Sequence, residues 1–531
     1  MSADTLAVHP AIDGCGSHDP GAVLLSGGRP VFGIEEARLV RRKHASLTFP
    51  ERSIRACLSY ADCALSDLDS ILVPWNGSPG PVRERLTDVG TDLPPVRTFD
   101  HHRSHAASAF FPSGFDEALV LTVDARGDRA ATVVWHGRGR DLDRLRTYEA
   151  PNSLGYFYAA VTGYLGYRIF GGEGKVMGLA GYGKANPLVA SPLRRAVQTG
   201  LDYDVTPLVG GGIPGGIARL EELFARPRGA AGASRDWQAD LAGAAQSILV
   251  ETVREIVEHY CESFGVGRVC LAGGVALNCK LNKRVAELPA VDRLFVQPVA
   301  HDTGSALGAG LLAAGSRPDF STLSLGPSFP PATVAGLLDR RNIRYTEPDD
   351  LVGRVADLLA DGAVVGWFQG RTELGPRALG NRSILADPRT ERTRDRVNAF
   401  VKRRAAWRPL APSLLAEAAD DHLRDPRPAP FMIQCFDTRT ETRDDISAVV
   451  HPGDGTTRPQ VVPSDERSRF ARLLDTFGDL TGVPVLLNTS FNRRGEPIVT
   501  TPLEALDCFA ETGLDALAIE DFLLTSSPDR P

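Results

Sequence analysis

The chain has 531 residues, 43% hydrophobic and 24% charged, with 66 acidic against 59 basic side chains and a net charge of −7. That length implies two or more domains with sizeable cores. The acidic balance argues against broad nucleic-acid binding, which needs a basic surface, and no stretch approaches the roughly 18 apolar residues of a membrane span.

The N-terminus has no basic segment followed by an apolar one, so no export leader is expected. The eight cysteines, at positions 15, 57, 63, 261, 270, 279, 435 and 508, form no CxxC pair. They read as reduced, mostly buried thiols of a cytoplasmic protein.

In chain order, the first chemical residue is His18, in Gly14-Cys15-Gly16-Ser17-His18-Asp19. An imidazole titrating near neutrality suits a base for a hydroxyl acceptor, and a plain turn histidine is the competing reading. Gly21–Leu25 and Pro30–Ile34 flank Ser26-Gly27-Gly28-Arg29, a hairpin signal. Glu35, Glu36 and Arg38, with Arg41-Arg42-Lys43, read as a charged helix start with a mostly solvated face.

Asp100-His101-His102-Arg103-Ser104-His105 is the sharpest local motif. On a helix, His101 and His105 share one face, and that spacing lets two imidazoles bind one cation. An isolated pair of this kind is more often two surface or satisfied core histidines. The apolar run Ala118–Val123 ends at Asp124, with Gly127 after it, and Thr132–Trp135 forms the next strand. Hairpins opening two related halves are typical of the actin-like ATPase fold, by analogy. Gly172–Ala180 reads as an active-site segment or a plain Gly-rich loop.

A long helix is expected over Ala239–Phe264, then a strand Arg268–Ala272 running into Gly273-Gly274 and Asn278. Backbone N–H groups at such a turn can hold a phosphate or nucleoside. The strand Leu294–Gln297 ends near His301-Asp302, before a small-residue helix, Ser305–Ala314. Carboxylates at strand ends point into the ligand crevice of an open α/β fold. Two His and two Asp would make a nitrogen–oxygen site suited to Fe(II), Zn(II) or Mn(II). Each Asp alone is equally a helix cap or turn residue.

The Pro/Ser/Gly-rich stretch from Ser316 to Thr333 reads as a domain linker, dividing the chain into 1–320 and 321–531. Beyond it, Ala363–Phe368, Phe431–Phe436 and Val483–Leu487 read as strands of a second α/β domain. The first leads into Gly370–Ser383, where Arg371, Arg377 and Arg382 share a compact loop suited to phosphate oxygens. Lys402, Arg404 and Arg408 follow, and the last strand ends in Asn488-Thr489-Ser490-Phe491-Asn492. Clustered cations with short polar side chains suit a triphosphate, and the bland alternative is an unspecific basic surface.

Taken in order, these motifs resemble the antibiotic and nodulation O-carbamoyltransferase family. The similarity runs through the His18 segment, Lys43-His44, HHxxHA, EGKVMGLA, GGVALN, GWFQGRTELGPRALGNRSILADPR, RPLAPS and LNTSFNRRGEPIV. It implies an N-terminal actin-like (Kae-type) domain and a C-terminal YrdC-like α/β twisted-sheet domain. The implied chemistry joins Mg-ATP and carbamoyl phosphate into carbamoyl adenylate on the second domain. There Arg377, Lys402, Arg404, Arg408, Arg458, Asn488, Ser490 and Asn492 would bind the substrates. In the first domain His101, His105, Asp124 and Asp302 would hold a divalent metal, with Fe2+ favoured and Zn2+ or Mn2+ as options. Lys43, Gly273, Gly274, Asn278 and His301 would bind the adenylate. His18 would deprotonate the hydroxyl of a small-molecule acceptor, of the class of a glycosylated natural product, with no nucleic acid or membrane partner. The acceptor is expected near loops at Trp75–Arg85 and Gly210–Ile217. Gly181 stands where the family often has Pro, and Ala405-Ala406-Trp407 where it often has an acidic residue before the aromatic one. A tRNA threonylcarbamoyl enzyme is the alternative, and it would need a basic face.

Overall fold

A computed structural model describes residues 4–12, 18–229, 234–463 and 465–526. The chain forms two compact units, one of Met1–Val40 with His44–Ser321, the other of Arg41–Lys43 with Thr322–Pro531. Cys15 and the Gly14–Ser17 stretch before His18 lie outside the described residues. The seven described cysteines are free thiols, six of them buried. Among the described residues no helix is long and apolar enough to cross a membrane.

The first unit is a duplication. Its first sheet holds β1 (Asp4–His9), β2 (Gly21–Ser26), β3 (Arg29–Glu35), β4 (Ser70–Val73) and β5 (Val96–Thr98), in spatial order β3-β2-β1-β4-β5. The second holds β6 (Glu117–Gly127), β7 (Ala130–Arg138), β8 (Asp141–Glu149), β9 (Arg268–Ala272) and β10 (Arg293–Val296), in order β8-β7-β6-β9-β10. In both, three antiparallel strands form a meander and two parallel strands extend its first member. This repeat is the one the hairpin signals anticipate. The Gly27-Gly28 turn takes positive φ at both glycines, as a tight hairpin after β2 requires. The central strands β1 and β6 are apolar on both faces, as buried strands of a layered α/β unit must be.

The long helix runs over Arg235–Phe264. It is capped by Ser234 Oγ, which accepts from the Trp237 N–H, and ends at left-handed Gly265. The small-residue helix begins earlier than its apolar run suggests, at Asp302, and extends to Ala314. A methyl group on Gly308 would strike the Ser104 carbonyl. The lack of one lets this helix approach His101–Phe110 closely.

Three expectations are corrected in this unit. Glu35, Glu36 and Arg38 are buried rather than solvated. Glu36 accepts from the Ser53 N–H and hydroxyl at 2.7 Å each, and Glu35 pairs with Arg38 at 2.9 Å. The expected loops near the acceptor are largely helical, at Gly80–Leu86 and Gly212–Phe224.

The second unit is a seven-stranded mixed sheet with a two-stranded ribbon. Its strands are β11 (Val365–Phe368), β12 (Arg382–Ala386), β13 (Ala411–Leu415), β14 (Phe436–Asp437), β15 (Thr456–Thr457), β16 (Gln460–Val462), β17 (Val485–Ser490), β18 (Ala516–Ile519) and β19 (Phe522–Thr525). The large sheet runs β16-β13-β17-β12-β11-β18-β19, and β14 pairs with β15. Successive residues of β18 alternate between two cores: Leu517 and Ile519 pack with Phe368 and Phe491, Ala516 and Ala518 with Trp367 and Phe477. Of the expected strand Phe431–Phe436 only Phe436 lies in a strand, β14; Met432 takes φ +52° and leaves the extended region.

Candidate functional site

In the first unit, four buried side chains converge. His101 and His105 project from one face of the helix His101–Phe110, which is capped by Asp100 through the Arg103 N–H. Their ring centroids are 4.7 Å apart, edge to face. Asp124 lies near the end of β6 and Asp302 opens its helix. One ligand atom from each lies within 4.8 Å of every other. Asp124 Oδ2 is 3.4 Å from His101 Nε2 and 3.3 Å from His105 Nε2; Asp302 Oδ1 is 3.9 and 3.6 Å from the same atoms. Neither ring nitrogen of fully buried His105 completes a hydrogen bond. An unbonded buried imidazole facing two carboxylates is a donor set lacking a cation, so these residues fit a divalent metal. A methyl group on Gly127 would collide with the His101 ring.

The electrostatics agree. Burial pushes Asp124 up, but the His101 and His105 imidazoles beside it outweigh that and hold the carboxyl well below its usual range. Asp302 is likewise held far down, against its burial, by His9, His18 and His105. Burial works to lower His105, and the two carboxylates raise it to about 9. The neighbouring His102 belongs to the core: its Nε2 donates to the Ala130 carbonyl at 3.1 Å, Thr122 lies 2.9 Å from Nδ1, and burial pushes it down to about 3.

His18 borders this cluster. Its Nδ1 is 3.1 Å from Asp19 Oδ2 and 3.8 Å from Asp302 Oδ2, and its ring packs on Phe170 at 4.7 Å. Burial opposes the charged form, yet Asp302 and Asp19 raise His18 to about 10. Asp19 also binds His44 Nδ1 at 2.9 Å, and its carbonyl accepts from the Thr303 hydroxyl at 2.7 Å. Phe170 takes φ +56°, uncommon for an aromatic residue. Glu173 holds that turn by accepting from the Phe170 and Gly171 N–H groups, so the Gly-rich segment is a built structure.

The Gly273-Gly274 turn abuts the cluster. Gly273 has φ +87° and lies so close to Val123 of β6 that a side chain has no room, and a methyl on Gly274 would sit 3.2 Å from Asp124 Oδ1. Asn278 caps the following helix through the Leu281 N–H, and its amide is bonded to Gln246. His301 caps the Asp302 helix, Nδ1 accepting from the Thr303 N–H at 3.3 Å, with Nε2 3.8 Å from Glu35. Lys43 belongs with the second unit rather than with these residues. His9, unforeseen from the sequence, also reaches Asp302: its Nε2 is 3.3 Å from Oδ2.

In the second unit the candidate residues form a cationic cluster. Buried Lys402 donates to the Ser490 carbonyl at 2.6 Å, to Asn492 Oδ1 at 2.5 Å and to the Asn492 carbonyl at 3.2 Å. Burial, then Arg404, Arg408 and Lys43, hold Lys402 well below the usual lysine range. Burial with Arg408 and Arg458 lowers Arg404. Arg404 is steadied by Asn398 Oδ1 at 2.7 Å and Arg458 by the Met432 carbonyl at 2.7 Å. Asn488 donates to Ser413 Oγ at 2.9 Å, while its buried Oδ1 has no hydrogen bond.

The loop Gly370–Ser383 corrects the idea of three phosphate-facing arginines. Arg382 is fully buried over the Phe368 ring and donates to the Gln369, Asn381 and Gly370 carbonyls. Arg371 donates to the Gly326 and Leu325 carbonyls. Glu373 binds the N–H groups of Leu379, Asn381 and Arg382. Arg371 and Arg382 therefore build the loop. Arg377 sits half-buried within it.

Comparison with known proteins matches this architecture. The carbamoyltransferase N-terminus family model matches residues 82–311 and the carbamoyltransferase C-terminus model residues 356–526. The chain is 38% identical to nodulation protein NolNO of Sinorhizobium fredii over 96% of this chain and 80% of that protein. It is 38% identical to nodulation protein NolO of Bradyrhizobium diazoefficiens over 81% and 79% of the two chains, and 29% identical to nodulation protein U of Sinorhizobium fredii over 80% and 76%. With both family domains matched in order and identity sustained along its length, this chain belongs to the carbamoyltransferase family.

Proposed function

We propose that this protein is an ATP-dependent O-carbamoyltransferase acting on a hydroxyl of a small natural product. The observation that carries the reading is the separation of two charged clusters, one per unit: a carboxylate–imidazole set around Asp302 and a lysine–arginine set around Lys402.

In the second unit, Mg-ATP, carbamoyl phosphate and water give carbamoyl adenylate, pyrophosphate and phosphate. Lys402, Arg404, Arg408 and Arg458, with Arg377 and Lys43, offer positive charge to the phosphoryl oxygens. Ser490 and Asn492 fix the Lys402 ammonium, and Asn488 Oδ1 is an acceptor for the carbamoyl N–H2. AMP then leaves far more readily than hydroxide would.

In the first unit, His101, His105, Asp124 and Asp302 hold a divalent metal, with a donor set suited to Fe2+, Zn2+ or Mn2+. When bound it supplies Lewis-acid polarisation of the adenylate's oxygen atoms. Backbone N–H groups of the Gly273-Gly274 turn orient the nucleotide beside Asp124. Asp19 holds His18 through Nδ1; a cation on Asp302 offsets the carboxylate that favours the imidazolium, and the neutral ring then offers Nε2 to take the acceptor's proton as its oxygen attacks the carbamoyl carbon.

The test is pyrophosphate release from purified protein with ATP and carbamoyl phosphate. Lys402→Ala should abolish it and His101→Ala should largely spare it, while both lose carbamoyl transfer. Release indifferent to Lys402→Ala, or absent from the wild type, would sink the reading.

A further inference from the structure

The four-residue metal set leaves out a histidine that touches it. His9 ends β1, which holds in the first sheet the central place that β6, bearing Asp124, holds in the second. The duplicated fold thus delivers a side chain from the end of each central strand to one point. His9 is fully buried; its Nε2 faces Asp302 Oδ2 at 3.3 Å, while its Nδ1 has no hydrogen-bond partner. Such an orphaned polar group costs about 1–3 kcal/mol, so a purely structural core position would favour an apolar side chain.

The contact it makes is with Asp302, whose two oxygens face different ways. Oδ1 looks to His105 and His101, at 3.6 and 3.9 Å. Oδ2 looks to His9 Nε2 at 3.3 Å and to His18 Nδ1 at 3.8 Å. The His9 and His101 rings stand edge to face, 6.4 Å apart. A ligating carboxylate is oriented by a hydrogen bond to the oxygen that does not ligate.

We propose that His9 is a positioning residue of the metal centre: its Nε2–H donates to Asp302 Oδ2 and so turns Oδ1 toward the ion, with His9 itself outside the ligand set. The inference rests on the metal reading above. It adds a residue from the first repeat that sets how tightly the centre holds its ion.

The experiment is titration calorimetry of Mn2+ into metal-stripped full-length protein, comparing wild type with His9→Phe and His9→Gln. Phenylalanine keeps a ring and removes both nitrogens, and glutamine restores an N–H donor at similar reach. His9→Phe should weaken Mn2+ about 10–100-fold, and His9→Gln should regain most of that loss. Thermal unfolding of the metal-free variants reports folding, and His9→Leu replaces His9→Phe if the latter fails to fold. Equal Mn2+ affinity in wild type and the apolar variant overturns the role of His9 alone. Glutamine binding as weakly as phenylalanine also overturns it, because a donor is then not what matters. Wild type that binds neither Mn2+ nor, anaerobically, Fe2+ removes the metal reading and this inference with it.

Discussion

The two units carry opposite incompletions. Around Asp302 and Asp124, two carboxylates are held ionised against burial, beside a histidine with unbonded nitrogens. Around Lys402, burial and neighbouring guanidinium groups press an ammonium toward its neutral form. On the proposed reading, a cation completes the first cluster and an anion the second. A buried cluster of one sign is costly unless its counter-charge arrives with the ligand. The sign of the missing partner therefore distinguishes the two proposed half-reactions.

The largest effects should come from cancelling each sign separately. Asp302→Asn or Asp124→Asn removes a charge the cation needs, and carbamoyl transfer should fall about a thousandfold, equivalent to several kcal/mol. Pyrophosphate release should stay within about twofold of wild type. Lys402→Ala should do the reverse, cutting pyrophosphate release by about 10²–10³ while leaving Mn2+ affinity intact. An Asp302 or Asp124 variant that loses pyrophosphate release, or a Lys402 variant that loses Mn2+ affinity, breaks the comparison.

A second prediction uses the sign of the lysine shift. Lys402 is depressed in the folded protein, so an arriving phosphate dianion raises its pKa and draws in a proton. Between the depressed value and the ordinary lysine range, binding of ATP should take up close to one proton and weaken by up to about tenfold per pH unit as pH rises. Calorimetry in two buffers of different ionisation heat measures the uptake, and Lys402→Met should abolish it. For folding alone the slope is opposite: the unfolded chain binds the extra proton, so this group adds stability as pH rises through the same window.

A third sharpens the first unit. Mn2+ at a hundred times its Kd should stabilise that unit by about 2.7 kcal/mol. A thermal melt with and without Mn2+ should show the gain in wild type and lose it in Asp124→Asn.

Much of this was legible in the sequence. Both hairpins, the long helix and the strands bearing Asp124 and leading to Asp302 follow from apolar runs ended by Gly or Asp, and His101 with His105 from helical spacing. His9 was not, because a single His closing an apolar strand has no local pattern, and its partners lie at positions 101 and 302. The duplicated sheet was the available signal, since it matches the end of β1 to the end of β6. Burial of Glu35, Glu36 and Arg38 was hidden for a related reason. A charged run reads as solvated until Ser53 and the paired ions satisfy it through space. The arginines of Gly370–Ser383 were over-read because composition shows donors without showing which carbonyls occupy them.

That last point yields the smallest prediction and the finest test of the cationic unit. Arg371 and Arg404 are both half-buried, and a count of positive charge would treat them alike. Arg371, however, spends its guanidinium on the Gly326 and Leu325 carbonyls, whereas the charge of Arg404 is felt at Lys402. Arg371→Met should lower stability by about 1–2 kcal/mol, read as a shift in the denaturation midpoint. The dependence of pyrophosphate release on carbamoyl phosphate should stay within about twofold. Arg404→Met should do the opposite, weakening substrate dependence and relieving the depression of Lys402, so that the proton uptake on ATP binding shrinks. If Arg371→Met raises the KM for carbamoyl phosphate as much as Arg404→Met does, the cationic site extends into the Gly370–Ser383 loop, and the line between loop-building and anion-facing arginines must be redrawn.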